Sequence, residues 1–245
     1  LAEGLNAAAQ RKAIDKLLDG RYDWESFTRK SVVSPFLLKI ADEDTSSGEV
    51  GRRVDLYFVA YGSLEKFSND NYLTEQLNIA ATNNNEKDDS RVKLLSEAEL
   101  TKRGLPVPQA SNDPRWVAVE STLLDKVQIS ATTQNMKSQS DSSVVVASLL
   151  DTTFARDAEY PNSWRPISTD DAGRRQIGQP QLYAGLGSYI KATRLAEPAG
   201  ALFIEYPVVF AEPQDWFHGA NLLRSKLPIV AQDMVRKFRR NMLKP

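Results

Sequence analysis

Residues 182–210 read LYAGLGSYIKATRLAEPAGALFIEYPVVF, and this stretch decides the fold. Two apolar runs, Leu182–Leu195 and Ala201–Phe210, flank Glu197-Pro198-Ala199-Gly200. Proline presets the φ of a turn and glycine accepts a left-handed backbone, so the stretch predicts an antiparallel hairpin. Tyr183, Gly185, Gly187 and Tyr189 alternate and are expected on one face, with the two glycines forming a notch between the tyrosines. Such glycines mark sharp curvature, or close approach of a ligand or of another backbone. Gly185-x-Gly187 lacks the third glycine and following helix of a nucleotide fingerprint. Pro207 has no N–H for a ladder, which predicts an edge or a bulge in the returning strand.

Downstream, Leu227, Val230, Met234, Phe238 and Met242 step by three or four and predict one apolar stripe on a helix over 222–243, with Pro228 in its first turn. Upstream, Leu5, Ala9, Ile14, Leu17 and Leu18 predict a helix within 1–20, stopped at Gly20. A short strand is expected to end at Ile40, and a second to run from Arg52 to Tyr61. In the second, Val54, Leu56, Phe58 and Ala60 face one way and Tyr57, Val59 and Tyr61 the other, so both faces are expected to be covered. Residues 64–80 read as short helix and 83–90 as polar loop, and Ser96 with Glu97 and Glu99 suits a helix start. Trp116–Thr133 and Val144–Phe154 read as long strands joined by the polar tract 134–143. In the first, Val127, Ile129 and Ala131 form a buried face. Residues 160–179 read as loop.

Strands bracketed by helices predict an α+β fold. It is a long, curved antiparallel β-sheet covered by an amphipathic C-terminal helix, with an N-terminal helix, all in a single domain over 1–245. A curved sheet closed by a long helix can enclose a cavity.

Composition narrows the chemistry. The chain has no cysteine and one histidine, His218, which excludes disulfides, thiolate sites and multi-histidine metal centres. Asp42, Asp44 and Ser46 open like a calcium loop, but Ser47 and Arg53 stand where that loop needs glycine and glutamate. No activated serine, P-loop or assignable acid pair is visible, so no catalytic residue, metal or cofactor is assigned. A hydrolase using paired carboxylates is the weakest reading. The charge is nearly balanced, 31 basic residues against 32 acidic, which argues against nucleic acid as a partner. That balance hides an asymmetry. Residues 224–245 hold seven cations against Asp233 alone, a net of +6, leaving −7 on residues 1–223. Arg236, Lys237, Arg239 and Arg240 form the candidate electrostatic patch for an anionic membrane surface or an acidic protein. The chain begins at Leu1 rather than Met, which either a cleaved signal peptide or a boundary within a longer chain would explain. Lack of cysteine suits a bacterial cell envelope or secreted setting as well as a cytoplasmic one.

The element order resembles the helix-grip fold of START and Bet v 1-like domains. The residues carrying the resemblance are the hairpin Leu182–Phe210, the junction Pro213-x-x-Trp216-Phe217, and Leu227-Pro228 ahead of Val230, Met234 and Phe238. The tracts 83–90, 134–143 and 160–179, and Pro207, depart from that pattern. The resemblance implies a hydrophobic small molecule or lipid held between the sheet and the C-terminal helix. The expected ligand-binding residues are Tyr183, Gly185, Gly187, Tyr189, Tyr206, Trp216, Phe217, Met234 and Phe238. Trp216 and Phe217 read either as a plug at one end of the core or as a gate over a ligand. The alternative function is an envelope structural or interaction module that uses its basic helix and has a filled core.

Overall fold

The computed structural model describes residues 1–44, 50–67, 91–110, 112–213, 216 and 222–244. Helices α1 (Ala7–Leu18) and α2 (Trp24–Thr28) open the chain, each with its first turn capped by a side-chain oxygen, from Asn6 and Asp23 respectively. Strands β1 (Phe36–Asp44) and β2 (Val50–Tyr61) follow, then the single turn α3 (Leu64–Phe67). After β3 (Arg91–Leu94) comes α4 (Glu97–Lys102), which Ser96 and Glu99 close with reciprocal hydrogen bonds. The remaining strands are β4 (Arg115–Leu123), β5 (Val127–Gln139), β6 (Ser143–Leu150), β7 (Ser163–Thr169), β8 (Arg175–Ile177), β9 (Gln181–Leu182), β10 (Leu186–Arg194) and β11 (Ala201–Glu212). Helix α5 (Leu222–Leu243) comes last.

The eleven strands described form one antiparallel sheet, ordered β1-β2-β11-β10-β6-β5-β4-β3. Strand β7 pairs with the first residues of β5, and β8 and β9 pair with β7. The fold is α+β, with a long antiparallel sheet between an N-terminal and a C-terminal helix. Both faces of β2 are covered, as its alternation requires. Val59 and Tyr57 pack with Phe203 against Ile14, Leu18 and Phe27 of the N-terminal helices. Leu56, Phe58 and Ala60 pack with Ile204 against Val235, Phe238 and Met242 of α5. Each large apolar side chain buried this way contributes about 1.5–3 kcal/mol.

Several expected extents are corrected. The run 116–133 is two strands, because Leu124 and Asp125 both take left-handed φ, 54° and 56°, and close a tight turn without the usual glycine. Strand β5 continues through the polar tract to Gln139, since ladder bonds are indifferent to side-chain polarity. Residues 160–179 are not all loop. Trp164 and Ile167 of β7 are buried and so hold a strand there. Pro207 sits at neither an edge nor an inserted residue, because β11 lies between β2 and β10. Its pairing with Asp55 of β2 is kept, while the β10 ladder skips from Ser188↔Val208 to Lys191↔Glu205. The missing donor is therefore absorbed on the β10 side. Pro228 lies inside α5 rather than in its first turn. Of the helix expected over 64–80, only α3 lies within the described residues.

Helix α5 is fixed to the sheet at its C-terminal half. Phe238 meets Phe58 edge-on at 5.2 Å between ring centroids. Met242 closes on Gly62, where a Cβ would stand 3.2 Å from the Met242 carbonyl oxygen. Arg239, expected in an exposed patch, is buried instead. Its Nε donates to the Val59 carbonyl at 2.8 Å, its Nη1 to the carbonyls of Val32 and Ser34, and its Nη2 to that of Pro35 at 2.9 Å. Val59 lies one residue past the last β1–β2 pair, Phe36↔Phe58, where β1 no longer supplies a partner. Burial lowers the Arg239 pKa to about 10, which leaves it charged at neutral pH.

Arg239→Met should cost about 3 kcal/mol or more in urea unfolding, because main-chain carbonyls lose their donors together. Arg239→Lys, with one point charge for several acceptors, should recover less than half of that loss. A loss below about 1 kcal/mol in Arg239→Met would contradict this anchoring.

Candidate ligand-binding cavity

The inward faces of the strands follow from register and the two-residue period of a strand. Leu38 of β1 and Val54 and Leu56 of β2 form one wall, with Tyr206, Val208 and Phe210 of β11 beside them. Leu186 and Ser188 of β10 and Ser148 of β6 continue the floor. Ile129, Ala131 and Thr133 of β5, with Val119, Ser121 and Leu123 of β4, form the opposite wall. Over these lie Leu223, Leu227, Val230, Ala231 and Met234 of α5. Together they surround a hollow of about 290 Å³, about ten times the liquid volume of a water molecule.

The hollow exists because α5 docks at two separated places. Toward its start, Leu223 joins the apolar cluster of Trp216, Tyr183, Trp164 and Ala211. From Ala231 onward, the helix packs on the central strands. Between them Leu227 and Val230 are only partly buried and face the hollow. In the first turn Arg224 also meets Asp42 at 3.6 Å between exposed side chains, a pair of a kind worth about 0–1 kcal/mol.

An aromatic stack closes one end. Trp216 stacks on Tyr183 at 5.6 Å and on Phe210 at 6.1 Å, and meets Trp164 edge-on at 6.1 Å. Tyr183 and Phe210 line the hollow, and Trp216 lies behind them, 2% exposed. Its position is that of a plug. Gly185 makes this corner possible. A Cβ there would stand 2.8 Å from the Ala211 Cβ and 3.2 Å from its amide nitrogen, and the Gly185 carbonyl accepts from that amide at 2.9 Å. This is the close approach of another backbone that a glycine permits.

The sequence-expected residues fall into separate groups. Tyr183, Tyr206 and Met234 line the hollow. Trp216 supports its aromatic end, and Phe238 belongs to the packed half of α5. Gly187 and Tyr189 do not share a face with the hollow. Residues 183–185 interrupt the expected strand, so β10 begins at Leu186 and turns Leu186 and Ser188 inward. Gly187 and Tyr189 therefore lie on the outer face, beside Leu149 and Ala147 of β6. The expected notch of two glycines between two tyrosines is not formed. Phe217 and His218 lie outside the described residues. In the basic patch, Arg240 is exposed, Arg236 and Lys237 are half-buried, and Arg239 faces inward. The composition-based reading missed Leu38, Val119, Leu123 and Ser148. The alternation of β2 and β5 did carry the signal for Val54, Leu56, Ile129 and Ala131.

None of the described residues lining the hollow is charged. Burial pushes the Tyr206 phenol pKa up, so it stays protonated at neutral pH and can donate. Among the described residues, no group of three metal-ligating side chains is brought together, and no helix is long and apolar enough to cross a membrane.

The order of N-terminal helix, antiparallel sheet and long C-terminal helix is the one expected from the sequence. Solved structures similar to this chain include the human StarD13 lipid transfer and protein localization domain, 9% identical with a TM-score of 0.48, covering 98% of each chain. Human STARD10 is 8% identical with a TM-score of 0.40, covering 89% of this chain and 82% of its own. An uncharacterized protein from Rhizobium leguminosarum is 9% identical with a TM-score of 0.36, covering 85% of this chain and 99% of its own. No family model matches the chain, and no curated protein matches it in sequence.

The two docking places and the hollow between them should respond differently to truncation. Trp216→Ala is expected to cost about 3–5 kcal/mol in guanidinium unfolding. Met234→Ala should cost about 2 kcal/mol or less, because part of that side chain borders empty space. Equal losses at the two positions would contradict the assignment of packed end and hollow centre.

Proposed function

We propose that the protein binds a hydrophobic small molecule or lipid, without catalysis, in the hollow between its sheet and C-terminal helix. The observation that supports this reading is the uncharged, mainly apolar lining of a hollow of about 290 Å³. Ligand pockets of a few hundred cubic ångströms with few polar groups are the usual form of such sites. Burying an apolar ligand there gains roughly 25 cal/mol for each Å² removed from water. Tyr183, Tyr206 and Met234 are the proposed contacts, with Leu227 and Val230 above.

The alternative, a filled module that docks through its basic helix, is less well supported. It needs a packed interior under α5 and four outward cations. The interior is hollow, and Arg239 holds carbonyls of the protein itself.

The neutral dye N-phenylnaphthylamine, which brightens in apolar surroundings, provides the test. Its fluorescence should rise and saturate with the wild-type protein, and native mass spectrometry after incubation with a lipid extract should show a retained ligand. Val230→Trp, which places a large ring in the hollow, should weaken dye binding about tenfold or more. An unchanged affinity in that variant, or no saturable binding to the wild type, would overturn the proposal.

A further inference from the structure

The inward face of the sheet carries a short row of hydroxyls within an apolar field. Ser148 of β6 pairs with Ser188 of β10, so their side chains stand side by side on one face. Ser188 pairs in turn with Val208 of β11, and Tyr206 is the next inward residue along that strand. All three hydroxyl side chains line the hollow. Asn135 extends the row on β5, opposite Ser148. Its Oδ1 is already occupied, accepting from the Thr133 hydroxyl at 2.9 Å.

Ser148, Ser188 and Tyr206 differ from that pair. None of the three hydroxyls has a hydrogen-bond partner among the described residues. Burial alone raises the Tyr206 phenol, with no charge or hydrogen bond contributing. All three residues are half-buried, and polar groups drawn out of bulk water are normally satisfied by protein, water or ligand, so three adjacent open hydroxyls in an apolar wall mark where a polar atom belongs. The same wall argues against a charged group. A carboxylate or an ammonium entering the hollow would lose its hydration without meeting an opposite charge on the described lining. Lys137 follows Asn135 on this face, opposite Val146, and is outside the lining.

We propose that the hollow selects an uncharged amphiphile, an apolar body carrying a single hydroxyl or carbonyl, whose polar end is received by Ser148, Ser188 and Tyr206. This inference rests on the binding function proposed above and specifies its ligand class. A hydroxyl end can donate to one serine oxygen and accept from Tyr206 Oη, while a carbonyl end accepts only. Both leave the rest of the ligand against Leu227, Val230 and Val208.

Displacement of N-phenylnaphthylamine by chain-matched decane, decanol, decanoate and decylammonium tests this on the whole chain. Decanol should bind about tenfold tighter than decane, and decanoate and decylammonium should be the weakest. In a Ser148→Ala, Ser188→Ala, Tyr206→Phe variant, the decanol-to-decane ratio should fall to near one. Tyr206→Phe alone should give an intermediate ratio and guards against a folding defect in the triple variant. A ratio unchanged by the substitutions would overturn the inference, as would decanoate or decylammonium matching decanol. Failure of the dye and of decane to bind the wild type at all would overturn the binding reading itself. Dye binding without a preference for decanol overturns only the ligand class.

Discussion

Arg239 is the constraint on which the rest depends. A guanidinium removed from water is costly, and here it is held by main-chain carbonyls rather than by a carboxylate among the described residues. Those carbonyls belong to the segment before β1 and to β2, where the pairing between β1 and β2 has run out. The side chain thus supplies the donors that a sheet would otherwise supply, and it lies over the Phe58 ring at 5.7 Å. Its reach fixes how closely the last turns of α5 can approach β2. Gly62 and Phe58 then let Met242 and Phe238 fill that half.

With the C-terminal half pinned and Leu223 docked on the aromatic stack, the intervening Leu227 and Val230 face the hollow rather than a packed core among the described residues. Pro228 falls within this stretch and removes one helix hydrogen bond there. The helix is most weakly supported where it covers the hollow. A ligand would supply the missing contacts. Stability of the helix and occupancy of the hollow are therefore linked by mass action, since a molecule that binds only the folded state stabilises it.

Much of this architecture was legible in the sequence. The span of α5, its apolar stripe and the two-sided burial of β2 follow from periods of 3.6 and two residues. What was not legible has identifiable causes. The Leu124–Asp125 turn lacks the glycine that announces such turns, so two strands read as one. The second half of β5 is polar, and its pairing with β6 shows only in register. Pro207 by itself predicts an edge or a bulge, yet a single gap in one ladder accommodates it in the middle of the sheet.

The site was legible in outline only. Tyr183, Tyr206 and Met234, expected from local aromatics and a helical stripe, do line the hollow. Gly187 and Tyr189 were assigned to the wrong face, because the interruption at 183–185 depends on the crossing of Gly185 and Ala211, which are far apart in sequence. The same holds for the Ser148–Ser188 pair, which only register brings together. Arg239 illustrates the limit of charge counting. In sequence it is one of seven cations in the closing segment, and its burial depends on carbonyls about two hundred residues earlier.

Amide hydrogen exchange along α5, with and without decanol, tests the central claim most directly. The account predicts that the amides of residues 224–231 exchange at least about tenfold faster than those of 235–242 in the free protein. It also predicts that decanol slows the first group and leaves the second nearly unchanged. Uniform protection along the helix, with no response to decanol, would contradict it.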